Sequence, residues 1–92
     1  MSDVKEVLKE RGTRYGEFSS HAAISQALKT VIQSSPNFED GNLEPYQIES
    51  LEMIAHKIAR ILNGDPDYDD NWIDIAGYAQ LVVNELKAKE RQ

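Results

Sequence analysis

No cysteine occurs among the 92 residues, which excludes a disulfide framework, a thiolate metal site and a cysteine nucleophile. Proline and glycine are scarce, at three and five residues, and the 40% hydrophobic and 28% charged content is that of an ordinary folded domain rather than a disordered chain. No apolar run approaches the roughly 18 residues of a membrane span. The start, Met1-Ser2-Asp3-Val4-Lys5-Glu6, lacks the apolar stretch of a signal peptide, so a cytoplasmic location is expected. Basic residues are the minority: ten against sixteen acids, a net charge of −6. Such a surface repels phosphate backbones unless its cations cluster. Lys5, Lys9, Arg11 and Arg14 gather near the start, but Glu6, Glu10 and Glu17 are interleaved with them. Nucleic-acid binding is therefore disfavoured, and a small molecule or a protein is the expected partner.

The length fits a single domain, residues 1–92, with a thin apolar core that favours a partner subunit or ligand. The pattern predicts an all-α, four-helix bundle-like domain completed by oligomerisation. A first helix capped by Ser2 carries Val4, Val7 and Leu8 and stops at Gly12. A turn through Thr13–Phe18 follows. Ser19 or Ser20 caps a second helix bearing Ala23, Ile24, Ala27, Leu28, Val31 and Ile32, which ends near Ser34 before Pro36. Residues 36–42 read as a loop with Asp40-Gly41-Asn42 as its turn. Pro45 opens a third helix running to Asn63, with Gly64 just past its end. Asp69 or Asp70 caps a fourth that lasts to about Lys89, and the short link makes the last two an antiparallel hairpin.

At 100° per residue the third helix gathers Ile48, Leu51, Ala55, Ile58 and Leu62 into a core seam, with Glu49, Glu52 and His56 on one flank. The fourth gathers Trp72, Ile75, Ala79, Val82, Val83 and Leu86, edged by Asn71, Asp74 and Tyr78. Both polar stripes follow i, i+3, i+7. Carboxylates one turn apart are close enough to share a hard cation such as Mg²⁺, and stripes on facing helices of a hairpin can converge. The competing reading leaves Glu49 and Glu52 solvated and Asp74 in an ion pair.

The segment Glu49-Ser50-Leu51-Glu52, followed after eighteen residues by Asn71-Trp72-Ile73-Asp74, resembles the Glu-x-x-Glu … Glu-x-x-Asp pattern of MazG-like all-α nucleoside triphosphate pyrophosphohydrolases. That resemblance implies Mg²⁺ held by Glu49, Glu52 and Asp74, the same residues being catalytic, with a metal-bound water releasing pyrophosphate and a monophosphate from an NTP or dNTP. Asn71 stands where the pattern has Glu, and an amide brings neither charge nor a base. Longer stretches, Arg11–Phe18 (RGTRYGEF), Leu51–Asp65 and Trp72–Ala79, resemble a family of short phage and prophage proteins, a likeness that carries no activity with it. The alternative function is a non-catalytic phage module that binds a nucleotide or a host protein.

His56, Lys57 and Arg60 are candidate phosphate contacts, Lys57 on the flank opposite His56; the same three side chains can instead be solvated or paired with acids. Tyr15 and Trp72 offer rings for stacking on a base, or fill a core or interface; Tyr78 joins them as a substrate-binding candidate. A zinc site at His56 is disfavoured because His21 lies in another helix. The acidic run from Asp65 to Asp70 lacks the glycine and the final glutamate of a calcium loop, so it reads as charge at a helix start. Gly77 and Ile73 lie opposite the main seam, with Ala76 adjacent, and Met53 projects away from the seam of the third helix; apolar residues on two sides of each helix favour a homo-oligomer.

Overall fold

The computed structural model describes residues 3–90. Its described residues form five helices and no strand: α1 (Asp3–Tyr15), α2 (Phe18–Gln33), α3 (Pro36–Glu39), α4 (Pro45–Asn63) and α5 (Asp69–Glu90). The fold is all-α, as expected, and no helix is long and apolar enough to cross a membrane among these residues. The predicted Ser2 cap lies outside the described residues.

Two boundaries near the start differ from expectation for one reason. The glycine that turns the chain is Gly16, with φ +79°, rather than Gly12. Gly12 is accommodated within α1, where its carbonyl accepts the Gly16 N–H at 2.9 Å. Because the turn is short, α2 begins at Phe18, ahead of Ser19 and Ser20, with Glu17 extended as its first flanking residue. Residues 36–42 are not all loop: Ser35 caps α3 by accepting the Phe38 N–H at 3.3 Å, and Pro36 fits its first position. The Asp40–Asn42 turn forms as expected, with Gly41 at φ +72°.

α4 spans the predicted residues. Its start is reinforced by Gln47 Oε1, which accepts the Glu44 N–H at 2.8 Å. Between α4 and α5, Asp65 Oδ1 accepts the Asp67 N–H at 2.9 Å and the Trp72 indole donates to the Pro66 carbonyl at 2.9 Å.

α4 is the axis of the molecule. It packs against α5 on one side and α2 on the other, with α1 against its C-terminal end, whereas α2 and α5 do not approach each other. The molecule is elongated, 51 × 27 × 26 Å, with α4 at its centre. The buried residues are small or polar: Ser50, Ala55 and Ala59 on α4, His21 and Ser25 on α2, and Asn71 on α5. Small side chains let the helices meet closely.

The apolar seams fall differently from the helical-wheel reading. On α4, Ala55 is buried and Ile48 and Ile58 are half-buried, but Leu51 is exposed and Leu62 is 65% exposed. The middle of that seam lies between the two contact flanks. On α5 the inward stripe is Asn71, Asp74, Ile75, Tyr78 and Val82, so the edge read as polar is the face that packs on α4. Trp72 is 55% exposed, and Val83 and Leu86 are also exposed. On α2 the inward stripe is His21, Ser25, Leu28 and Ile32, while Ala23, Ala27 and Val31 face out.

Candidate functional site

The α1–α2 turn is clamped onto the α4–α5 link by backbone contacts that only glycines permit. Asn63 Nδ2 donates to the carbonyls of Tyr15 at 2.8 Å and Glu17 at 2.9 Å. The Asp65 N–H donates to the Arg14 carbonyl at 2.6 Å. A Cβ at Gly16 would overlap the Asn63 carbonyl oxygen, and one at Gly64 would overlap the Arg14 carbonyl oxygen. The clamp holds Arg14 and Tyr15 beside Tyr68 and Arg60. The Arg60 guanidinium sits 4.1 Å from the Tyr15 ring centre, and Arg14 sits 4.3 Å from that of Tyr68. The two tyrosine rings lie 6.1 Å apart. Cations over aromatic faces are attracted by the ring quadrupole, so this alternating ladder fixes the Arg60 head group.

Below the clamp, α1, α2 and α4 enclose a cleft of about 650 Å³, within the usual range for small-molecule sites. Leu8, Arg11 and Tyr15 supply one wall, Glu17, Phe18 and His21 the second, and His56 and Arg60 the floor. His21 and His56 meet edge to face with ring centres 4.6 Å apart. Burial, and then the Arg60 charge, lower both imidazole pKa values, that of His56 to about 4. Both rings are therefore neutral near pH 7. His21 is only 5% exposed, and its Nδ1 has no hydrogen-bond partner. The Ser25 hydroxyl, one turn on, is also without a partner.

Among the site residues read from the sequence, Tyr15, His56 and Arg60 are brought together in this cleft. Trp72 and Tyr78, on α5, are not part of its lining. Lys57 faces α5 and pairs with Asp74, Nζ to Oδ2 at 2.9 Å, with its side chain 12% exposed and that of Asp74 46%. The ion-pair reading of Asp74 is the one the structure adopts. Glu49 is exposed and Glu52 half-buried on the other flank of α4. The expected convergence of the two stripes does not occur, because the two flanks of α4 face different neighbours. Asn71 is fully buried, with its Nδ2 unpaired.

The carboxylates do not fit a divalent-cation site as placed. Among the described residues no three His, Cys, Asp or Glu side chains are grouped to hold a metal, and the Asp74 carboxylate is already paired with the Lys57 ammonium. His21, Arg11 and Phe18 were missed as site residues. His21 was recoverable, since stepping back from Ile32 and Leu28 by helical spacing reaches Ser25 and then His21.

The family described as "Domain of unknown function (DUF6378)" matches residues 1–86. The chain belongs to that family. No curated protein and no solved structure matches it. The matched span of this DUF6378 domain includes the whole cleft and the Gly16–Asn63–Gly64 clamp that shapes it.

Proposed function

We propose that this domain is a nucleotide-binding module that holds its ligand in the α1–α2–α4 cleft without cleaving it. The observation that carries this reading is Arg60, fixed over Tyr15 at 4.1 Å on the cleft floor, a preformed cation beside aromatic surface. Phe18, exposed with its ring 6.2 Å from that of His21, offers aromatic surface to a base, a contact worth about 1–3 kcal/mol. Arg11 adds a second cation, and the neutral histidines add hydrogen-bonding nitrogen without charge. Metal-assisted hydrolysis has less support, because Asp74 is engaged by Lys57 and the acids it would need lie on separate flanks.

The same reading includes assembly with a second copy. Leu51, Leu62, Trp72, Val83 and Leu86 leave apolar surface on α4 and α5. Burying such surface against a second copy would yield about 25 cal/mol per Å².

The test is a thermal-shift screen with nucleoside mono-, di- and triphosphates, with and without Mg²⁺, followed by chromatography of each mixture that stabilises the protein. Selective binding to the folded state raises the melting temperature. A shift with the nucleotide recovered intact supports the module. Pyrophosphate release would replace it with the hydrolase reading, and no shift with any nucleotide would overturn both.

A further inference from the structure

The cleft also carries information about which nucleotide it suits. We infer that it takes a nucleoside monophosphate without a divalent cation, the single phosphate seated between Arg11, Arg60 and the first turn of α2. This rests on the nucleotide reading of the cleft.

Three observations support it. First, α2 is a sixteen-residue helix whose flanking Glu17 makes no side-chain cap and whose first turn has no acid. Its leading N–H groups and dipole thus remain available to an anion, and Glu17, Phe18 and His21 at that end line the cleft. Second, Arg60, held over Tyr15 at 4.1 Å, and Arg11 line the same cleft, so two guanidiniums share it with that end of α2. Third, the charge in the cleft is small. Arg11 and Arg60 oppose Glu17, while burial and Arg60 keep both histidines neutral near pH 7.

One net positive charge suits a phosphate monoester, which carries about −1.5 to −2 near neutral pH. Each further phosphate adds negative charge that no further cation among the lining residues offsets, on a chain whose net charge is already −6. A triphosphate would need a divalent cation, and a divalent cation needs oxygen ligands. Glu17 is the one carboxylate among the lining residues.

The experiment is isothermal titration calorimetry of the full chain with each nucleoside, its monophosphate and its triphosphate, in EDTA and in Mg²⁺. The expected result is a monophosphate bound about tenfold or more tighter than its nucleoside and than the Mg²⁺-triphosphate, equally well in EDTA. Arg11→Gln, at an exposed helix position, and Arg60→Gln should each weaken it about tenfold while circular dichroism remains native. Triphosphates binding as tightly or tighter, or arginine variants with unchanged affinity, would overturn the inference and leave the nucleotide reading standing. No binding by any nucleotide would overturn that reading itself.

Discussion

Replacing Gly16 with alanine tests whether the turn between α1 and α2 is the clamp that shapes the cleft. Gly16 has φ +79°, where a side chain costs about 1–2 kcal/mol. The added methyl would also overlap the Asn63 carbonyl, so the turn and the end of α4 must separate. That separation breaks the two hydrogen bonds from Asn63 Nδ2, each worth about 0.5–1.5 kcal/mol. A total near 3 kcal/mol is a large share of the roughly 5–15 kcal/mol that holds a small domain together. For a domain of this size it corresponds to a fall in Tm of about 12–24 °C. The control is Gly12→Ala, where a Cβ meets nothing within 4 Å; it should raise helix stability by up to about 1 kcal/mol. Thermal melts followed by circular dichroism at 222 nm distinguish the two. A loss below about 4 °C for Gly16→Ala, equivalent to less than about 1 kcal/mol, would refute the clamp.

Other expectations follow from particular contacts. Lys57→Met leaves a half-exposed Asp74 without its partner and should cost about 1–2 kcal/mol in urea unfolding, between the values for exposed and buried pairs; no change would mean the pair is solvated in solution. The histidines give stability a pH dependence. The fold keeps His56 neutral down to about pH 4, whereas the unfolded chain takes up protons below about 6.5. The unfolded state therefore binds more protons as pH falls from 6.5 toward 4, and stability should drop across that window, with His21 acting in the same direction. With His56 only half-buried, solvent screening leaves an effect on the order of 1 kcal/mol, and His56→Gln should flatten the slope between pH 6.5 and 5; an unaltered slope would contradict the assignment. Leu51→Glu and Leu62→Glu, both at exposed positions, should shift the protein to monomer in light scattering coupled to size exclusion, and a wild-type monomer would remove the proposed assembly.

The helices were largely legible in the sequence because their ends carry local chemistry. Pro45 and Gly64 mark α4, and the paired acids at Asp69 and Asp70 open α5. The start was less legible: Gly12 and Gly16 look alike in one dimension, and only Gly16 meets the backbone of Asn63. Which face of each helix turns inward was harder still. α4 serves two neighbours, so its strongest apolar seam is only partly covered: Ala55 is buried, but Leu51 and Leu62 stay exposed. On α5 the packing face holds Asn71 and Asp74, because Asn71 is small enough to bury and Lys57 neutralises Asp74. Tyr15, His56 and Arg60 were recognisable as ligand-contact types. Their meeting with His21 was not, since it depends on how α2 rotates against α4.

Ligand binding in the α1–α2–α4 cleft is read most directly from a ¹H–¹⁵N correlation spectrum of the labelled protein titrated with nucleoside monophosphates in EDTA, with the side-chain guanidinium and imidazole nitrogens observed as well. Saturable shifts centred on Arg11, Tyr15, Phe18, His21, His56 and Arg60 are expected, with α5 unmoved. Shifts confined to Glu49, Glu52 and Asp74 on adding Mg²⁺, or no saturable shift around the cleft, would contradict binding there.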